Sequence, residues 1–206
     1  MEGSSYGEVC MLRYVRMVVA TVGLCLVSAC APDLGVRLSV PSVPDSEKVE
    51  VQERRDGPIK VRVGTFTDNR KSNTIAVIDG RQVPSEGTLG VVVQEGLENY
   101  LRKAGVRIAV LQAPQIEGEI VEWKATVLPS FPTSSASATA RIKVVVRGAD
   151  SSVKYRANFA GEASMSHPAL RASHVKELLA QAMGSALEEV VTDPGVVDQL
   201  SAAQVR

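Results

Sequence analysis

Three stretches between Ile116 and Met165 alternate apolar with polar residues almost without a break. Such period-2 runs turn one face to a core and the other to water, so they restrict this chain to a sheet-based fold. In 136–147, Ala138, Ala140, Ile142, Val144 and Val146 share one face, against Ser137, Thr139, Arg141, Lys143 and Arg147. In 153–165, Tyr155, Ala157, Phe159, Gly161 and Ala163 oppose Lys154, Arg156, Asn158, Glu162 and Ser164. In 116–128 the apolar register moves from Ile116 and Ile120 to Val121, Trp123, Ala125 and Val127. A one-residue slip flips every face, so a bulge is expected near Ile120–Val121, with Trp123 in the core or beside it. Gly148–Ser151 is a tight connection and Pro129–Ser135 a loose one. The three runs predict an antiparallel meander with one wet face.

The flanking elements complete a layer. Ile59–Val63 alternates and exits through Gly64–Thr67 into the polar turn Asp68–Lys71, and Ile75–Ile78 closes on Asp79-Gly80, a hairpin signal. Ser85 reads as an N-cap with Glu86 in the first turn. Leu89, Val93, Leu97, Tyr100, Leu101 and Ala104 then form one apolar stripe, and Gly105 stands where a helix ends. Gly96 lies near that stripe, where a missing side chain suits close approach to the sheet. Val106–Val110 returns as a strand, which implies a parallel pair joined by a crossover. After His167-Pro168 a second helix buries Val175, Leu178, Leu179, Ala182, Met183, Ala186, Leu187 and Val190. It stops at Thr192–Gly195, with Val196–Leu200 adding a short turn. The expected fold is α+β: one two-layer domain over 59–206, with a mixed, mostly antiparallel sheet and two helices packed on one face.

Composition narrows the function classes. Only 4% of residues are aromatic, so the core must be built from Val, Ala, Leu and Ile. Lys+Arg equals Asp+Glu at 23 each, a balance that argues against nucleic acid as a partner.

The N-terminal region carries a different signal. Met17–Ala29 is apolar and uncharged, follows Arg13 and Arg16, and ends in Val27-Ser28-Ala29-Cys30. A basic start, a short apolar run and a small-residue exit describe a secretory signal peptide over 1–29. Asp33 stops the run short of the roughly 18 residues that a spanning helix needs. The competing reading is an N-terminal anchor helix or a buried helix. Residues 1–10 are polar and acidic, whereas Met11 opens the better leader Met11–Arg16, so Met11 is a candidate initiator.

Small residues before a cysteine at this position resemble the lipobox of bacterial lipoproteins. That resemblance implies cleavage between Ala29 and Cys30, a diacylglyceryl group on the Cys30 sulfur and an acyl chain on its new amino group. Two or more chains anchor a protein stably. Ala31 in second place, rather than aspartate, implies the outer membrane, with the domain facing the periplasm. Of Cys10, Cys25 and Cys30, only the last would survive cleavage. A lone cysteine in an exported chain needs an explanation, and a thioether supplies one. Residues 30–58, with Pro32, Pro41, Pro44 and Pro58, read as a flexible tether. The alternative is that Val36–Val40 docks as an edge strand.

The order of elements behind a lipobox resembles the YajG-like family of bacterial lipoproteins. The likeness rests on Val63–Arg70, Tyr100–Gly105, Tyr155-Arg156-Ala157 and the terminal helix running to Asp193. It implies a fold and an address, and no enzymatic activity. A looser likeness extends to envelope lipoproteins whose α+β domains contact periplasmic enzymes or machines.

Few residues suggest chemistry. No nucleophile-elbow, metalloprotease, phosphate-loop or dinucleotide pattern occurs, so no catalytic residue, metal or cofactor is expected beyond the lipid on Cys30. His167 and His174 read as capping or surface residues, and Asp68 with Arg70 as a local ion pair. Arg141, Lys143, Arg147, Lys154 and Arg156 make a basic stripe on the wet face. It is either a solvated surface or a docking surface for an envelope protein or an anionic glycan. The leading expectation is a non-enzymatic lipoprotein that contacts an envelope protein through its open sheet face or the Ser130–Ser137 loop, or self-associates through a sheet edge. The alternative is a binding module for a small envelope ligand such as a peptidoglycan fragment or a lipid.

Overall fold

The computed structural model describes residues 36–39, 41 and 59–202. The expectations for the leader, for the Ala29–Cys30 cleavage site and for Met11 lie outside the described residues. In chain order the described residues form β1 (Val36–Arg37), β2 (Lys60–Asp68), β3 (Thr74–Ile78), β4 (Arg81–Glu86), α1 (Leu89–Lys103), β5 (Arg107–Ile108), β6 (Gln115–Leu128), β7 (Ser134–Arg147), β8 (Val153–His167), α2 (Ala172–Thr192) and α3 (Pro194–Ala202).

The meander is present as the alternation requires. β6 pairs antiparallel with β7 along its whole length, and β7 with β8. The register slips between Ile120 and Glu122. Val121 is the extra residue and stands 47% exposed, while Trp123 beside it is fully buried. On its other edge β6 meets two parallel strands in succession. β2 runs beside Gln115–Ile120, and β3 runs beside Ala125–Val127. β4 returns antiparallel to β3, and β1 lies parallel to β4 at the outer edge. Within 30–58, then, the edge-strand alternative holds for Val36 and Arg37. Leu38 and Pro41 are buried just beyond them.

The crossover is also present, since β5 lies parallel to β2. Its ladder is only Arg107–Ile108; Val110 and Leu111 leave the sheet and stand 83% and 76% exposed. Helix α1 buries Leu89, Val93, Leu97, Tyr100 and Leu101 as expected, but it starts later than Ser85. Ser85 and Glu86 finish β4 because the Ser85 N–H donates to the Asn73 carbonyl at 2.9 Å, which keeps the chain extended. Gly87 then turns at φ 84° and Thr88 opens the helix. At the other end the N–H groups of Gly105 and Val106 donate to the Arg102 and Leu101 carbonyls. Gly105 sits at φ 81° there, a left-handed cap that glycine adopts without strain. Gly96 does not face the sheet. A Cβ on it would lie 3.0 Å from Leu187 and 3.2 Å from Pro41, so it admits α2 and the buried proline instead.

Helix α2 covers β8 and β7, and its apolar face is the one the spacing predicts. The Trp123 indole N–H donates to the Leu179 carbonyl at 3.0 Å in the buried core, which ties helix to sheet. Asp193-Pro194 restarts the chain rather than stopping it. The Asp193 carboxylate accepts from the Val196 N–H at 2.8 Å, and proline suits a first helical turn. A nine-residue third helix therefore replaces the short turn. The molecule is an α+β fold in which a mixed sheet carries its helices on the apolar side.

Candidate functional site

The wet face of β6, β7 and β8 is the surface on which the sequence concentrates charge. Arg141, Lys143 and Arg147 project from β7, and Lys154 and Arg156 from β8, all at least partly exposed. Antiparallel pairing also brings acids of β6 beside them. Glu119 stands opposite Lys143, and Glu122 opposite Arg141. The Arg147 guanidinium lies 2.6 Å from Glu117, and that of Arg141 lies 3.5 Å from Glu122. Lys154 reaches Asp150 at 3.4 Å. Three of the five cations are thus locally compensated. Lys143 and Arg156, diagonal neighbours in the β7–β8 ladder, make no ion pair among the described residues. Exposed pairs of this kind contribute little stability, about 0–1 kcal/mol each, so the face is a charge mosaic rather than a basic stripe. The acids were readable as alternate residues of 116–128, but their partners emerge only once the register is known.

A second polar cluster lies where β2 leaves β6 and β3 joins it. Arg70 fills that gap with a side chain only 4% exposed. It donates to both Asp68 oxygens at 2.8 and 2.9 Å and to Ser85 Oγ at 2.9 Å. It also reaches the carbonyls of Trp123 and Thr74 at 3.3 and 3.4 Å. The Trp123 carbonyl sits at the break between the two flanking strands, so Arg70 supplies the donor that a ladder would. This is a structural clamp joining four strands, larger than the local ion pair the sequence suggests. Arg70→Ala is expected to cost about 2–4 kcal/mol in chemical denaturation, because it orphans a buried carbonyl and a carboxylate.

The Arg70 guanidinium also holds the Asp68 carboxyl below its ordinary 3.8, outweighing the upward push of partial burial. A lowered folded pKa means that this contribution is complete at neutral pH. It fades as pH falls from about 4 through the folded value. Asp68→Asn is expected to flatten that acid limb of a stability–pH profile while leaving the rest of the profile parallel.

The histidines come together, with ring centroids 4.6 Å apart. The His174 ring accepts from the Arg171 N–H and the His167 ring from the Ala169 N–H, at 3.2 and 3.1 Å. Both are therefore occupied in local turns. Among the described residues no group of three or more His, Cys, Asp or Glu is placed to hold a metal ion. A groove of about 460 Å³ runs over α2, lined by Tyr100, Glu162, Glu177 and Glu188 among others. Its size suits a small ligand, and its walls mix three carboxylates with small apolar residues and the Tyr100 ring. No described helix is long and apolar enough to cross a membrane.

Comparison with known proteins agrees with this architecture. A crystal structure of a Xanthomonas campestris protein is similar to the chain with a TM-score of 0.56 and 13% identity, covering 82% of this chain and 98% of that one. At that identity the likeness speaks for the fold alone. A minor lipoprotein of Acinetobacter baumannii aligns at a TM-score of 0.39 and 10% identity, over 71% of this chain and 92% of that one. A lipoprotein of Neisseria meningitidis aligns at 0.31 and 10%, over 70% and 99%. No individual curated protein matches the chain at a significant level. A family described as uncharacterized lipoprotein matches residues 46–200, and the chain belongs to that YajG-like lipoprotein family.

Proposed function

We propose that this lipoprotein is held in the outer membrane by lipid on Cys30 after removal of 1–29, and that it acts without catalysis by docking an envelope protein. Ala31 in second place supports the outer-membrane address. The observation that carries the docking reading is the open sheet face. β6, β7 and β8 each run fourteen or fifteen residues, and their helices all pack on the opposite side. Lys143 and Arg156 stand on the exposed side as neighbouring cations that make no ion pair among the described residues, although Glu119 lies across the ladder from Lys143. A partner carboxylate reaching between them would gain two charge-assisted hydrogen bonds. The compensated pairs around them favour register over raw affinity.

The test is photocrosslinking in intact cells from positions 141 and 158 of the full chain, the second an exposed asparagine opposite Lys143. One protein adduct should recur at both positions and disappear when Lys143→Glu and Arg156→Glu are combined. Absence of any protein adduct from this face would sink the reading.

A further inference from the structure

Phe131 is 96% exposed at the tip of the β6–β7 loop, with Leu128 beside it at 62%. A single exposed apolar residue needs no explanation, but the path of the chain gives this one a context. β1 runs parallel to β4, with Val36 opposite Ser85 and Arg37 opposite Glu86. Its N-terminal side therefore faces the Arg81 end of β4. Arg81 is level with Ile78, and Ile78 with Val127. The N-terminal side of β1 thus points toward the end of the sheet that displays Leu128 and Phe131. Only residues 31–35 separate Cys30 from Val36, and so short a segment spans at most about 20 Å. Val110 and Leu111, the other exposed apolar pair, lie past the opposite end of β6, about 40 Å away along the strand.

The surface chemistry changes along the same axis. No charged residue occurs between Lys124 and Arg141. On the wet face that stretch presents Thr126, Ser135, Ser137 and Thr139. The ion pairs of Glu117, Glu122, Arg141 and Arg147 lie farther from the loop. The β6–β7 end of the open face therefore carries no charge on its own strands and loop, with Asp79 and Arg81 of the neighbouring β3–β4 turn at the same end. It is tipped by an aromatic ring and lies within the reach that chain length allows Cys30. Apolar side chains, Trp, Phe and Leu above all, are what an element must offer to enter a lipid interface.

We infer that the β6–β7 loop is a second membrane contact: Phe131, flanked by Leu128, inserts among the lipids beside the anchor. This rests on the proposal that Cys30 is lipidated. It fixes the orientation of the domain, with the long strands rising from the bilayer and the charged half of the open face held away from it.

The test uses the full lipidated chain in vesicles of phosphatidylethanolamine and phosphatidylglycerol, some with brominated acyl chains. Phe131→Trp and Val110→Trp are compared, and buried Trp123 in the unaltered chain sets the baseline. Emission from Phe131→Trp should shift to the blue and be lost to bromine, while Val110→Trp stays at baseline. Mass spectrometry of the same preparation reports the state of Cys30. If Cys30 carries lipid but Phe131→Trp is quenched no more than Val110→Trp, the inference is overturned and the anchor stands. An unmodified Cys30 in a chain that does not float with the vesicles overturns both. A blue shift that grows with protein density and ignores bromine means that a second copy covers the tip, which also overturns the inference.

Discussion

Gly161→Val is expected to cost about 3 kcal/mol or more, a large share of the roughly 5–15 kcal/mol that keeps an ordinary domain folded. A Cβ at Gly161 would lie 2.0 Å from the Ala182 carbonyl oxygen and 2.6 Å from the Ala186 nitrogen. Both are backbone atoms of α2, so neither can rotate aside. The helix would have to lift off the sheet, and Leu178, Leu179, Ala182, Met183 and Ala186, all fully buried, would lose their packing with it. The Trp123–Leu179 hydrogen bond spans the same interface. Ala160→Ser, on the exposed neighbour, should change stability by no more than about 0.5 kcal/mol. Urea unfolding followed by Trp123 fluorescence reports both. Equal midpoints for the two variants would mean that α2 does not sit on β8 as described.

Cys30→Ala should have the largest effect on location. Two or more acyl chains hold a protein on a bilayer, whereas a chain without them keeps only what its surface offers. No described helix can take over as an anchor, and one exposed aromatic side chain falls well short of an acyl chain. The variant is therefore expected to leave the lipid-modified membrane pool entirely, recovered either as unprocessed precursor or in the aqueous phase of a detergent partition. Cys25→Ala, in the middle of the apolar run, should be processed and partition like the natural chain. Retention of the Cys30→Ala protein in the detergent phase as a cleaved, unlipidated species would contradict the assignment.

The meander was legible because period-2 alternation is a local property. One face of β7 can be read directly from Ala138 to Val146, and the bulge at Val121 follows from the shift in register. The stripes of α1 and α2 were legible for the same reason. Three features were not. Ser85 looks like an N-cap by residue type, yet its backbone is taken by Asn73 twelve positions away, a contact that local propensity does not contain. Gly96 reads as a sheet contact until α2 and Pro41 are placed against it. Arg70 looks like one half of a short-range ion pair, and its role at the junction of β2, β3, β4 and β6 depends wholly on how the strands are ordered. The candidate face was half legible. Its cations follow from alternation, while the carboxylates of Glu117 and Glu122 that neutralise Arg147 and Arg141 follow from pairing. The Ser130–Ser137 loop reads as a partner contact from the sequence, but the exposure of Phe131 within it was not legible, because a lone aromatic in a proline-rich loop carries no periodic signal.

The central claim is that the chain is a lipoprotein anchored at Cys30. Mass spectrometry of the N-terminal peptide of the natural protein, extracted from membranes, tests it most directly. The expected peptide begins at Cys30, with a diacylglyceryl thioether on the sulfur and an acyl group on the amine. A mature chain that keeps residues 11–29, or one with a free Cys30 thiol, would contradict it.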